Sequence, residues 1–213
     1  MAEVKRVTLH QPAKKAGYRV NVDAYLLADF AGAPRRVRHA IDLGSGVGAI
    51  GLSLLQSDRA ERVTFVEIDD ALVTLAARNI EDNGFVHRAE IIHTDVAKAR
   101  GTADLVVCNP PYVEPGRGRA PSPSVARAKQ GSLSVFLDAA RRVMGRRARV
   151  CFVYPAIEAT TLLMELRKRG LEPKRIRFVH AKVEDPARIV LVECAAGKPG
   201  GLTVEPPLFE IRL

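Results

Sequence analysis

The chain has 213 residues, 47% of them hydrophobic, and 33 Lys and Arg against 24 Asp and Glu give a formal net charge of +9. That length suits one domain with a sizeable core. No apolar run approaches the ~20 residues that a membrane span needs, and Met1–Arg6 lacks the apolar stretch of a signal peptide, so the expected location is the cytoplasm. Charge is unevenly spread: Asp42–Asp104 is acidic, whereas Met1–Val20 and Val113–Val150 are basic. Basic flanks suit a polyanion such as nucleic acid. Cys108, Cys151 and Cys194 lie far apart in apolar runs and match no CxxC pattern, which makes them core residues. His10, His39, His87, His93 and His180 share no ligand spacing, so no metal is expected.

In chain order, Ala40–Leu43 is a short apolar run ending at glycines, read as a buried strand. Gly48–Gln56 has helical spacing through Ile50, Leu54 and Leu55. Arg62–Glu67 is a second strand. Asp69 or Asp70 caps a helix carrying Leu72, Leu75, Ala76 and Ile80, which ends near Asn83-Gly84. On it, Asn79 and Asn83 read as helix-surface and helix-end residues. Glu90–His93 and Asp104–Cys108 are the third and fourth strands. The Pro/Gly/Arg-rich stretch Glu114–Ser124 reads as a loop. A helix over Leu133–Met144, a strand over Ala148–Tyr154 and a helix over Ile157–Arg169 follow. Two more strands, Arg175–His180 and Arg188–Cys194, come without a helix between them and should form a hairpin.

This alternation with continuously apolar strands predicts an α/β fold. The expected form is Rossmann-like, a seven-stranded mostly parallel sheet with one antiparallel edge strand and helices on both faces. Ligands in such sheets bind beyond the carboxyl ends of the strands. Asp42–Gly48, Glu67, Asp95 and Asn109 all fall just after the first four strands.

Asp42-Leu43-Gly44-Ser45-Gly46-Val47-Gly48 joins the first strand to a helix, and its glycines let the backbone turn sharply and approach a ligand. Gly46-Val47-Gly48-Ala49-Ile50-Gly51 also satisfies GxGxxG, the dinucleotide pattern. The strand-ending Asp42 points the other way: a carboxylate there would repel a pyrophosphate but could face the amino group of a methionine moiety. Glu67 can accept both ribose hydroxyls of an adenosine, and Asp95 can accept from an adenine amino group. The loop alone leaves S-adenosylmethionine, a nicotinamide dinucleotide and a plain turn open; with Glu67 and Asp95 in register it favours S-adenosyl-L-methionine as the cofactor.

Asn109-Pro110-Pro111-Tyr112 follows the fourth strand. Two prolines fix the backbone and withhold two N–H donors. What remains is a pair of acceptors, the Asn109 side-chain carbonyl and the Pro110 main-chain carbonyl, suited to the two donors of a planar NH₂ group. Holding both hydrogens draws the nitrogen toward tetrahedral geometry and frees its lone pair, which is positioning and electrostatics rather than base catalysis. Tyr112 offers a face for stacking a flat base.

With both motifs present the chain resembles the class I S-adenosylmethionine-dependent methyltransferases that carry an NPPY motif. The segment Gln11-Pro12, then Gly17–Ala28, narrows the resemblance to the bacterial tRNA1(Val) (adenine-N6)-methyltransferase family. The resemblance implies N6 methylation of adenine in tRNA, with RNA as partner. It also implies a division into an N-terminal cofactor-covering segment, 1–36, and a methyltransferase domain, 37–213, in which Tyr18, Arg19 and Asp23 shape the cofactor pocket. The expected cofactor contacts are then Asp42, Leu43, Gly44, Ser45, Gly46, Gly48, Glu67, Ile68, Asp95, Val96 and Asn109, with Asn109, Pro110, Pro111 and Tyr112 as the catalytic motif. Arg117, Arg119, Arg127 and Lys129 are the expected RNA contacts. An rRNA guanine-N2 methyltransferase, a protein glutamine-N5 methyltransferase, a DNA adenine methyltransferase and an RNA-binding module without activity remain as alternatives. The glutamine enzymes carry a longer helical domain before the core, and the DNA enzymes a base-reading domain.

Overall fold

The computed structural model describes residues 7–13, 20–32, 36–111, 133–197 and 199–210. The elements are α1 (Val22–Gly32), β1 (Val37–Leu43), α2 (Ala49–Gln56), β2 (Ala60–Glu67), α3 (Asp70–Asp82), β3 (Ala89–His93) and β4 (Ala103–Cys108), followed by α4 (Leu133–Val143), β5 (Met144–Pro155), α5 (Ala159–Lys168), β6 (Leu171–His180) and β7 (Ala187–Ala196). Two short strands, β8 (Thr203–Val204) and β9 (Leu208–Phe209), come last. No helix among the described residues is long and apolar enough to cross a membrane.

One sheet runs in the order β3-β2-β1-β4-β5-β7-β6-β8, with β9 also paired to β6. β1 to β5 pair in parallel, and β7 is antiparallel to both β5 and β6. Side chains alternate between the two faces of each strand. Val106, Val150, Phe152 and Val192 therefore meet Leu137, Ala140, Leu162 and Leu166 of α4 and α5. Leu105, Val107, Val153 and Leu191 meet Leu27, Phe30, Leu52 and Leu55 of α1 and α2 on the other face. This is the doubly wound α/β architecture expected from the alternation.

Two features differ from the sequence reading. The antiparallel strand is not at the edge: β7 lies between β5 and β6, and β8 and β9 extend the sheet beyond the seven strands expected. Burial explains the choice. Ile189–Val192 of β7 is buried without interruption, whereas β6 alternates with half-exposed Lys174, Arg175 and Arg177. The uniformly apolar strand takes the position covered on both faces.

The second difference is α1, a helix not assigned from the sequence. It is apolar almost all round, with Ala24, Leu26, Leu27, Ala28, Phe30 and Ala31 buried, so it lacks the one-sided pattern that marks a surface helix. Asn21 caps it, its side-chain oxygen accepting from the Asp23 N–H at 3.2 Å. Its last turn is pinned by Arg175, which lies 3.9 Å over the Phe30 ring and donates to the Phe30 carbonyl at 2.7 Å. α1 packs on α2 and against β5 and β7, so Val22–Gly32 is a layer of the core. The expected loop Glu114–Ser124 lies outside the described residues.

α2 reaches its place because Gly51 lacks a side chain. A Cβ there would come within 2.3 Å of the Phe65 ring and 2.8 Å of Val63 Cγ1, both buried in β2. Alanine normally favours a helix over glycine by roughly 1 kcal/mol; here overpacking outweighs it. Gly51→Ala is expected to lower stability by about 1–3 kcal/mol, read as a fall in the urea midpoint at unchanged slope.

Candidate active site

The carboxyl ends of β1, β2, β3, β4 and β5 open on a cavity of about 700 Å³. Because β7 is antiparallel, its beginning reaches the same edge, and Arg188 and Ile189 join the wall. The first turn of α1 closes one side with Asn21, Asp23 and Ala24, and α4 contributes Val135 and Phe136.

The loop after β1 is held by its own protein. Gly44, Gly46 and Gly48 have φ of 68°, 57° and 87°, left-handed conformations that other residues rarely adopt. A Cβ on Gly44 would meet Phe136 at 2.9 Å, whereas one on Gly46 would meet nothing within 4 Å. The N–H groups of Gly44 and Ser45 donate to the Val66 carbonyl at 2.9 and 3.0 Å, and that of Gly48 to the Ser45 carbonyl at 2.9 Å. The Gly46 N–H donates to Glu67 Oε2 at 2.8 Å. A pyrophosphate-binding loop must offer such N–H groups to its ligand; here they are engaged, one of them by a carboxylate. The arrangement argues against the dinucleotide reading that the GxGxxG pattern allowed.

Glu67 also accepts from the Ile68 and Asp69 N–H groups through Oε1, at 2.8 and 3.0 Å. A carboxylate has about four acceptor sites, so Glu67 keeps capacity for a ligand hydroxyl on the wall it lines. Asp95 Oδ1 accepts from the Ala97 N–H at 2.8 Å, capping the short turn Val96–Lys98. Ser45 Oγ, on the cavity wall, is buried with no hydrogen-bond partner, an unfilled polar group at the site. Charged groups on the wall are Asp23, Glu67, Asp95 and Arg188, and Arg188 is paired with Asp23 at 2.5 Å and with Glu210. An acidic wall suits a ligand that carries sulfonium and ammonium charges.

Of the residues expected at the cofactor, Asp23, Gly44, Ser45, Gly46, Glu67, Ile68, Asp95, Val96 and Asn109 line the cavity, as do Pro110 and Pro111 of the motif. Asp42, Leu43 and Gly48 do not. Asp42 is fully buried beneath the loop, where its Oδ2 accepts from the Gly51 N–H at 2.9 Å. That supplies the first turn of α2 with the cap that Gly48 cannot give. Asp42 thus lies under the loop rather than on the cavity wall, with its other oxygen, Oδ1, buried and without a hydrogen-bond partner. Tyr18, Arg19, Tyr112, Arg117, Arg119, Arg127 and Lys129 lie outside the described residues. Asn79 is not on the helix surface: it is completely buried against the underside of the loop. Phe136, Asn21 and Arg188 were missed from the sequence, since each comes from an element whose place is set only by tertiary packing. Among the described residues no cluster of His, Cys, Asp and Glu could hold a metal ion.

A family model described as "Methyltransferase small domain" matches residues 19–128, more than half of the chain. The chain belongs to that family. Curated relatives include proteins named tRNA1(Val) (adenine(37)-N6)-methyltransferase. The one from Erwinia tasmaniensis is 29% identical, the match covering 73% of this chain and 66% of the relative. The one from a Flavobacteriaceae bacterium is 28% identical, with 88% and 80% covered. Among solved structures, a protein of Agrobacterium tumefaciens described as a "predicted O-methyltransferase" has a TM-score of 0.69 at 25% identity, covering 88% of this chain and 86% of its own. The B. subtilis tRNA methyltransferase TrmK has a TM-score of 0.61 at 16% identity, covering 84% and 68%, and shares the fold. The fold is that of the class I methyltransferases, and the chain is an S-adenosylmethionine-dependent methyltransferase. The cavity fits that cofactor: its acidic wall and its engaged loop N–H groups suit a cationic adenosyl ligand better than a phosphate, and Ser45 Oγ leaves a polar group on the wall without a partner.

Burial pushes the Asp42 carboxyl from its ordinary 3.8 to about 7; the Gly51 N–H opposes that rise and the Glu67 charge adds to it. A carboxyl whose pKa is raised by folding makes the native state bind protons more strongly than the unfolded chain, so stability falls as pH rises from about 4 to about 7. Asp42→Asn keeps an acceptor for Gly51 and removes the titration. Relative to wild type, the variant should gain about 2–3 kcal/mol between pH 5 and pH 8. Urea unfolding at both pH values measures it, and parallel profiles would show that Asp42 does not titrate in this range.

Proposed function

We propose that this chain transfers a methyl group to the N6 amino group of an adenine in tRNA. The observation that carries the reading is the placement of Asn109, Pro110 and Pro111 on the same cavity wall as Glu67 and Asp95. The names of the Erwinia and Flavobacteriaceae relatives support adenine in tRNA over guanine or a glutamine side chain.

In this reading Glu67 receives a ribose hydroxyl of the cofactor through its remaining acceptor site, and Asp95 receives the adenine amino group. Ile68 and Val96, apolar and on the wall, flank the adenine ring. Asp23, Gly44, Ser45 and Gly46 surround the methionine portion, with Tyr18 and Arg19 completing the cover. Bound S-adenosylmethionine supplies the methyl group. The Asn109 side-chain carbonyl and the Pro110 carbonyl accept the two N–H donors of the target amine and point its lone pair into the cavity. Pro111 holds the turn and Tyr112 stacks the base. Asn109 lies between buried Cys108 and buried Pro110, so the chain contributes orientation; S-adenosylhomocysteine would be the leaving group, and the methylated nitrogen would release its surplus proton to solvent. Arg117, Arg119, Arg127 and Lys129 bind phosphates of the RNA, and a tRNA substrate is in keeping with a cytoplasmic enzyme.

Asn109→Ala should abolish transfer, with kcat down by about 10²-fold or more, while the cofactor still binds. Labelled cofactor with unfractionated tRNA, rRNA and protein measures the first, and calorimetry the second. Label entering protein instead of RNA would replace the substrate assignment; retained turnover in the variant would remove Asn109 from its role. Removing the four basic residues should weaken tRNA binding and flatten its dependence on salt, seen as a smaller slope of log K against log salt.

A further inference from the structure

The N-terminal segment reaches the cavity along α3, and two asparagines hold it there. Asn79 and Asn83 lie four residues apart, hence on one face of the helix. Asn83 Oδ1 accepts from the Thr8 N–H at 3.1 Å and its Nδ2 donates to the Thr8 carbonyl at 2.8 Å. Asn79 repeats the pattern: Oδ1 accepts from the His10 N–H at 2.6 Å and Nδ2 donates to the His10 carbonyl at 3.1 Å. Each side-chain amide thus stands in for a neighbouring strand, exchanging both bonds with one residue as an antiparallel partner does. The spacings match. One helical turn of four residues rises about 6.0 Å, and two residues of extended chain advance about 6.6 Å. Val7 is buried in the core and Leu9 packs against it, so alternate residues of the segment face inward while Thr8 and His10 face the amides. His10 Nε2 also meets Asp82 Oδ2 at 2.6 Å.

Asn79 does more than seat the segment. Its Nδ2 donates to the Val47 carbonyl at 2.9 Å, from the underside of the glycine-rich loop. Further along, the Gln11 side-chain carbonyl accepts from the Val20 N–H at 3.0 Å, and Val20, Asn21 and Val47 all line the cavity. One buried amide therefore ties the loop at Val47 to His10 of the N-terminal segment, and the neighbouring Gln11 carries that link to Val20 on the cavity wall.

We propose that Asn79 and Asn83 are positioning residues for the cofactor, fixing the register of the N-terminal segment so that Val20–Asp23 closes over the ligand bound at Gly44–Val47. The inference rests on the reading of this cavity as the S-adenosylmethionine site. Neither side chain touches the ligand; both act through the backbone of Thr8, His10 and Val47. Asn79 bears on both walls and Asn83 on the cover alone, so their effects should be graded.

The test compares wild type, Asn83→Ala and Asn79→Ala by calorimetric titration with S-adenosylhomocysteine, by steady-state methyl transfer and by thermal unfolding. Expected are a Kd about tenfold weaker for Asn83→Ala and about thirtyfold or more for Asn79→Ala. KM for S-adenosylmethionine should rise in parallel, with kcat at saturation within about threefold of wild type. If Asn79→Ala does not fold, Asn83→Ala decides alone, since its side chain is half-buried at the helix end and leaves the Val47 bond intact. A lowered melting temperature with unchanged Kd and KM would overturn the proposal and leave the asparagines a purely structural role. Failure of wild type to bind S-adenosylhomocysteine would instead overturn the reading of the cavity itself.

Discussion

The Glu67 carboxylate ties together the two turns on which the cavity is built. One oxygen takes the Gly46 N–H from the loop after β1, and the other takes the Ile68 and Asp69 N–H groups of the turn after β2. Three backbone donors are satisfied by one buried side chain, and the two strand ends are held in register. The Asp69 side chain then caps α3 through the Ala71 and Leu72 N–H groups, and α3 carries the asparagines that seat the N-terminal segment. Without an acceptor at position 67 the Gly46 N–H would lose its partner, and the loop would regain the conformational freedom its glycines allow.

Much of this frame was legible in the sequence. Apolar runs bounded by Asp, Asn and Gly located β1 to β4, and the chemistry-bearing residues fell at their ends because a short buried strand leaves its first polar residue at the edge. Asp42 ends its strand as the pattern implies, and one of its oxygens caps α2 at Gly51. A carboxylate in that place can face a ligand or cap the next helix, and the sequence does not distinguish the two. Asn79 was misjudged because a side-chain amide replacing a β-strand has no periodic signature. The helix α1 and the interior place of β7 were missed for a related reason: both depend on which surfaces other elements leave uncovered.

The C-terminal segment was the least legible part. β8 and β9 are two residues each, too short for any pattern, yet Glu205 and Glu210 between and after them reach Arg175, Arg177 and Arg188. Arg175 and Arg188 in turn grip the two ends of α1, at Phe30 and at Asp23. The last residues described thus buttress a helix near the start of the chain, and through it the wall of the cavity.

The Asp23–Arg188 pair spans 165 positions, and that separation has a consequence in time. A growing chain emerges from its N-terminus and folds roughly in that order. The central strands and the glycine-rich loop can assemble while the remainder is still being made. The cavity has no complete wall until β7 has emerged and slotted between β5 and β6. The Arg188 side of the pocket is therefore the last to be made: an interrupted chain ending at α5 holds the loop, Glu67, Asp95 and Asn109, and still lacks the wall that Arg188 and Ile189 supply.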